Sequence, residues 1–363
     1  AETITLTDTG SIAASTLLTV AQANASGTLD ASTAGTITGT ATQIKNAYGD
    51  STITEASNVA ITINSSGTVS VSDAKTIDGY TTGVVTGTVA SSAVSALTTL
   101  VDANGNNALT ITIGTGDKTV SAADLNTING ITTVDVDAAN VTTISSSTLS
   151  SINTLYTSGG VSGLGNEAIT VSDSGSIAAG TLSAIAAVNT SGTITATAAA
   201  TVTGTAAEIV ASFGNSTITE ASDVAITVNS GTASLAQARS MDGYTTGTVT
   251  ATIEDTRVSD LLGSTPLLDA RSNNAFTITI GTADAEITAA NLNTLNGLTS
   301  VAIEAGNVTQ ITGTVAVTNT TYAAGANGQI NGLGNEAVVI SGESSNTLSD
   351  ASTLNTLDGY TTG

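Results

Sequence analysis

The chain contains no cysteine, no histidine and no tryptophan, and its one proline is Pro266. Without Cys or His it cannot build a thiol nucleophile, a histidine-based triad or a His/Cys zinc site. Cations are scarce as well. Lys45, Lys75, Lys118, Arg239, Arg257 and Arg271 stand singly against 29 acids, which leaves a net charge of −23. Such a chain repels phosphate backbones and anionic membranes, so nucleic-acid binding is not expected. Long apolar runs are missing too. Polar residues interrupt every one well short of the roughly 18 needed to span a bilayer, which predicts no membrane insertion. The chain opens Ala-Glu-Thr-Ile-Thr, which reads either as the start of a cytosolic protein or as the mature end left by cleavage of a leader. Cysteine absence fits either a cytosolic or an exported protein.

What is abundant is Thr, Val, Ile, Ala, Ser and Gly. The 40% hydrophobic and 10% charged content is not that of a disordered chain. Beta-branched residues suit a pleated surface. With only eight aromatics, a core must come from Ile, Val, Leu and Ala.

The sequence repeats itself. Ile4-Thr-Leu-Thr-Asp returns as Ile169-Thr-Val-Ser-Asp, Ser51-Thr-Ile-Thr-Glu returns at Ser216, and Asn107-Ala-Leu-Thr-Ile returns at Asn274 as Asn-Ala-Phe-Thr-Ile. Gly163-Leu-Gly-Asn-Glu returns at Gly332. The expected organisation is a long unit at 1–165 of about seven coils, a second at 166–334, and the start of a further repeat at 335–363. Inside each unit candidate strands begin near Ile4, Leu29, Ile61, Val85, Thr110 and Val134, mostly 24 or 25 residues apart. The piece around Ile53 breaks that rhythm.

Each module reads as a strand, a turn and a helical turn. Thr110-Ile-Thr-Ile puts Ile111 and Ile113 on one face. Ser121 and Asp124 form a capping-box-like start, Leu125 and Ile128 share a side, and Asn129-Gly130 ends the turn. A module this short cannot bury a core alone, but stacked copies can. The expected fold is all-β with short helical turns, a parallel beta-solenoid or beta-helix of about 24-residue coils running as one continuous solenoid. Its length would be on the order of 70 Å at about 4.8 Å per coil. A string of beta-sandwich domains of about 80 residues is the second reading. Ending a coil stack at Gly363 would leave an open coil, which predicts either further repeats or stacking on another copy end to end.

Repetition also sorts the candidate sites, because a catalytic residue needs to occur once whereas a packing residue recurs. Tyr80, Tyr244 and Tyr360 share Asp-Gly-Tyr-Thr-Thr-Gly; Tyr48 matches Phe213, Tyr156 matches Tyr322, and Phe276 matches Leu109. The tyrosines read as turn packing, with a sugar-stacking platform for a glycan as the functional alternative. The acids pair likewise, Glu55 with Glu220, Asp117 with Asp284, Glu167 with Glu336 and Asp78 with Asp242, so no active site and no enzyme is expected. For calcium, Asp102, Asn104 and Asn106 alternate as in the opening of a calcium loop, but Ile113 stands where a bidentate Glu is needed. The counterpart Asp269 loop carries Arg271. Asp135 and Asp137 put two carboxylates on one strand face. Thr-x-Thr pairs such as Thr36/Thr38 and Thr193/Thr195 are either the outward strand face or ranks that order water, as in ice-binding proteins.

Leu354-Asn-Thr-Leu-Asp-Gly-Tyr-Thr-Thr-Gly363, with Thr203-Gly-Thr-Ala-Ala-Glu-Ile209, resembles the degenerate repeats of giant surface proteins from marine bacteria, cyanobacteria especially. The resemblance spans nearly the whole chain. It implies an extracellular, non-enzymatic structural protein of the cell surface, an adhesin stalk or a filament, whose partners are copies of itself or the rest of a longer repeat chain.

Overall fold

A computed structural model describes residues 2–64, 67–102, 104–254, 257–263, 267, 273–342 and 351–362. The chain divides into two compact units, Ala1–Ser172 with Ile185–Thr195, and Asp173–Ala184 with Ala196–Gly363.

In the first unit alternating apolar residues set the strands, and the strands pair one module apart. Ile12 of the Ser11–Ala13 strand lies beside Ile37 of Thr36–Gly39, Ile37 beside Ile61 of Ala60–Ile63, and Ile61 beside Val85 of Val85–Thr88. All four side chains are buried. The Ala108–Thr110 strand completes this five-stranded parallel sheet by placing Leu109 opposite Gly87. A second parallel sheet aligns Ile4, Leu29 and Ile53 from the strands Thr3–Thr5, Thr28–Ala31 and Ile53–Glu55. The piece around Ile53 that broke the sequence rhythm is thus in step with Leu29. Each of these modules lays down two strands, not one. In the second unit Ile177, Val202, Ile226 and Val249 form the matching row, and Ala251 faces Phe276.

Parallel neighbours need a crossover between them, and here the crossover is a helix. Thr40 starts one at Ala41–Gly49: its hydroxyl accepts from Gln43 N at 3.2 Å, while its own N–H donates to Gln43 Oε1 at 2.9 Å. Thr205 and Glu208 repeat this reciprocal cap at Ala206–Phe213. Ser121 caps Ala122–Asn129 by accepting from Asp124 N at 3.0 Å, with Gly130 as C-cap, where the sequence placed them. Ala122, Leu125 and Ile128 form its buried stripe. Helices of this length are marginal alone, and each fully buried Leu or Ile contributes roughly 1.5–3 kcal/mol. Packing against the strands and against the next helix therefore decides their stability.

The all-β expectation is corrected. Helix, at 32%, exceeds strand, at 27%. Helices such as Ala14–Ala23 and Val315–Ala326 run to ten and twelve residues. Short Ala, Ser and Thr side chains hide their faces, so the sequence shows only a turn where a helix of two or more turns forms. Thr133-Val-Asp-Val-Asp is also shorter as a strand than expected, being paired only at Val136–Asp137. Every strand pair among the described residues is parallel, which excludes antiparallel sandwiches there. No helix among the described residues is long and apolar enough to cross a membrane.

Candidate functional site

The six-residue motif Asp-Gly-Tyr-Thr-Thr-Gly, present three times, is a joint between modules. Asp78 Oδ1 accepts from Asn107 Nδ2 at 2.7 Å, and Asn107 Oδ1 accepts from Val85 N at 3.1 Å. Tyr80 stacks on Tyr48 of the preceding helix, with centroids 4.7 Å apart and planes 3° from parallel. Thr81 Oγ1 donates to Val59 O at 2.6 Å and accepts from Gly83 N at 2.9 Å. A Cβ at Gly83 would lie 2.5 Å from Asn58 O, so only glycine lets the strands approach there.

The second unit repeats the arrangement. Asn274 Nδ2 donates to Asp242 Oδ1 at 2.7 Å, Phe213 stacks on Tyr244 at 5.2 Å, and Thr245 Oγ1 donates to Val224 O at 2.6 Å. At the third occurrence Tyr360 stacks on Tyr322 at 6.1 Å and Thr361 Oγ1 donates to Glu336 O at 3.1 Å. The tyrosine faces are stacked on other rings of the chain.

Gly-Leu-Gly-Asn-Glu is a second joint. Buried Glu167 accepts at Oε2 from Tyr156 Oη at 2.6 Å, Gly165 N at 2.8 Å and Asn166 N at 3.2 Å. Glu336 takes Tyr322 Oη at 3.0 Å and Gly334 N at 2.9 Å. Gly163 and Gly332 make the turn at φ +83° and +82°, with backbone so near that a Cβ would approach it within 2.6–2.7 Å. Burial, with Glu167 alongside, pushes the Tyr156 hydroxyl far above its ordinary range.

Glu55 and Glu220 hold matching places in the two units, each at the end of a short strand. Burial raises Glu55 from 4.5 to about 7, with the Asp50 charge adding to the rise. Its Oε1 is buried without a hydrogen-bond partner. Burial raises Glu220 as well, but Ser212 Oγ donates to its Oε1 at 2.8 Å and pulls it back. Ala47 holds the place of Ser212 in the first unit.

Two equivalent grooves, of about 430 and 360 Å³, open where the crossover helix shrinks to one turn, at Val94–Leu97 and at Val258–Leu261. Ala93 and Arg257 supply no side-chain cap. The cap comes from the next module instead. Asp117 Oδ2 accepts from Val94 N at 2.8 Å, and Asp284 Oδ2 accepts from Val258 N at 3.0 Å. Asp124, also lining the first groove, accepts from Ser121 Oγ at 2.8 Å. These carboxylates are engaged in holding helices.

The calcium candidates do not converge into a loop of ligands. Asp102 turns its carboxylate onto the backbone, taking Asn104 N at 3.2 Å and Gly105 N at 2.8 Å on Oδ1 and Asn107 N at 2.8 Å on Oδ2. Asn104 is exposed, and Asn106 donates from Nδ2 to Thr82 O at 3.1 Å. Asp135 is exposed, and Asp137 Oδ1 accepts from Ala139 N at 3.0 Å. Ala103 and the counterpart positions Asp269 and Arg271 lie outside the described residues. Among the described residues no group of three or more His, Cys, Asp or Glu is placed to hold a metal ion.

Sequence reasoning found which residues recur but not what they bind. The signal was available: Asp78 with Asn107, and Tyr156 with Glu167, recur as pairs. No protein family, curated protein or solved structure matches the chain.

Proposed function

We propose that this chain is a non-enzymatic structural segment of a repetitive extracellular bacterial protein, of the surface, adhesin-stalk or filament kind, wound as a beta-solenoid. The supporting observation is that the six-residue motif Asp-Gly-Tyr-Thr-Thr-Gly, present three times, uses its side chains to join modules. Asp78, Tyr80, Thr81 and Gly83 each meet a neighbouring module. A binding or catalytic motif would turn its polar groups outward or into a cleft. Repeated parallel registers such as Ile12–Ile37–Ile61 make one module's edge fit the next, which suits end-to-end stacking of copies or a longer chain of repeats. The −23 charge would keep such a rod soluble.

Electron microscopy of the purified chain, with and without a calcium chelator, tests this reading. The expected particles are rods of constant width, single or joined end to end, unchanged by chelation. Compact particles of two unlike lobes would overturn the solenoid. Loss of order in chelator would restore calcium as a structural ligand.

A further inference from the structure

An Asn-Gly pair is a point where a polypeptide can modify itself. The glycine has no side chain to obstruct its backbone nitrogen, which can close on the amide carbon of the asparagine before it. This chain has five such pairs, at Asn104, Asn129, Asn296, Asn327 and Asn331. The fold treats them unequally.

Four are held back. Asn129 and Asn296 end the helices Ala122–Asn129 and Ala289–Asn296, and the glycine that follows has its N–H tied into the helix end. Gly130 N donates to Asn126 O at 3.0 Å, and Gly297 N donates to Asn293 O at 3.2 Å. The Asn129 amide also lies so close to Gly160 that a Cβ there would come within 2.1 Å of its Oδ1. Gly328 N donates to Gly325 O at 2.9 Å, just past the Val315–Ala326 helix. Asn331 lies in the paired strand Ile330–Asn331, and its Nδ2 donates to Glu304 Oε1 at 2.8 Å.

Asn104 differs on each count. Its side chain is exposed and makes no hydrogen bond to another described residue. Gly105 sits at φ +66° with open space where a Cβ would be. Its N–H donates to a carboxylate, Asp102 Oδ1, at 2.8 Å. A peptide carbonyl is no proton acceptor at neutral pH, whereas a carboxylate is, and this one stands at the atom that must lose a proton.

We propose that Asn104 is a self-modification site, which Gly105 and Asp102 convert to isoaspartate in the first unit alone. The Gly105 nitrogen bonds to Asn104 Cγ and gives its proton to Asp102 Oδ1. The Cγ–Nδ2 bond breaks, and Nδ2 leaves as ammonia with that proton. Water then opens the cyclic imide, at the Asn104 main-chain carbonyl to give isoaspartate or at Cγ to give aspartate. The sequence is redox-neutral and consumes only water. The counterpart positions 271 and 272 read Arg-Ser, so the second unit has no equivalent chemistry there.

The location gives the change a consequence. Asp102 Oδ2 also accepts from Asn107 N at 2.8 Å, and Asn107 carries the joint to Asp78 and Val85. Isoaspartate routes the main chain through Cγ and adds one atom to it between Asp102 and Asn107. The joint of the first unit therefore loosens as the chain ages, while the matching joint through Asn274 keeps its length. Nothing in this depends on the structural role proposed above.

Mass mapping of the whole folded chain, aged in mildly alkaline buffer and then cut after Lys and Arg, tests it. The peptide 76–118 holds the Asn104 pair and no other. It should gain about 1 Da ahead of 119–239 and 272–363, which hold the other four, and should become a substrate for a methyltransferase specific for isoaspartate. Asn104→Gln should abolish the gain, because its longer side chain closes the ring far more slowly, and this separates Asn104 from Asn106 and Asn107. Asp102→Asn, with circular dichroism confirming the fold, should slow conversion by about tenfold or more. In the converted chain Val85 N–H should exchange faster, with Val249 N–H, held by Asn274 Oδ1 at 3.0 Å, as the unchanged reference. Conversion first at another pair, or a gain in 76–118 that survives Asn104→Gln, overturns the site. A rate untouched or raised by Asp102→Asn overturns the part given to the carboxylate, and unchanged Val85 exchange overturns the loosening of the joint.

Discussion

Asn107 and Asp78, 29 residues apart, meet at 2.7 Å, and the same Asn hands its other amide atom to Val85 N–H at 3.1 Å. One buried amide thus ties a helix end to the start of the following strand. Truncating it strands both partners at once. Asn107→Ala should destabilise the fold by about 2–4 kcal/mol in urea unfolding, and Asn274→Ala should cost a similar amount in the second unit. A loss below about 1 kcal/mol at both positions would mean that water replaces the amide.

Asp117 caps a helix that has no cap of its own. Asp117→Ala should free the Val94 amide and cost about 1 kcal/mol. Hydrogen exchange reads this locally: Val94 N–H should exchange faster while the amides of the Ala122–Asn129 helix hold. Asp284→Ala should do the same to Val258.

Glu55 titrates near pH 7 in the folded chain and near 4.5 when free. Between those values the unfolded chain releases the proton first, so stability falls as pH rises from about 4.5 to 7 and stays reduced above. Glu55→Gln should remove that loss. Its thermal midpoint should match wild type at pH 4 and exceed it at pH 8. The gain is on the order of 1 kcal/mol, small because the carboxylate is partly open to water. Equal midpoints at pH 8 would contradict the raised value. Glu220 also titrates above its ordinary range, and Ser212→Ala should move it higher.

Among the described residues Tyr156 is the only side chain that donates to Oε2 of buried Glu167, at 2.6 Å. Tyr156→Phe should cost about 1–3 kcal/mol, and Tyr322→Phe a comparable amount through Glu336.

The strands were legible because Ile and Val alternate with Thr, as in Thr36-Ile-Thr, and so was the helix at Ala122–Asn129, with Ser121, Leu125, Ile128 and Gly130 all in place. The other helices were harder to see. Val315–Ala326 reads Val-Ala-Val-Thr-Asn-Thr-Thr at its start, a beta-branched run that packing overrides. Thr also serves both as an outward strand residue and as a helix cap, so Thr40 and Thr38 look alike in one dimension. The capping by Asp117 and the relay through Asn107 reach across a whole module, and no local pattern carries such pairings.

Strand partners in this chain are always close along it: Ser11 meets Thr36, Thr36 meets Ala60, and in the second unit Ser176 meets Thr201. Such short-range contact order removes the slow search that usually retards parallel sheets. A nascent chain emerging from its N-terminus can close each module as soon as the next two dozen residues follow. Its folding should then proceed as growth from any early seed, with little to gain from having the whole polypeptide present at once.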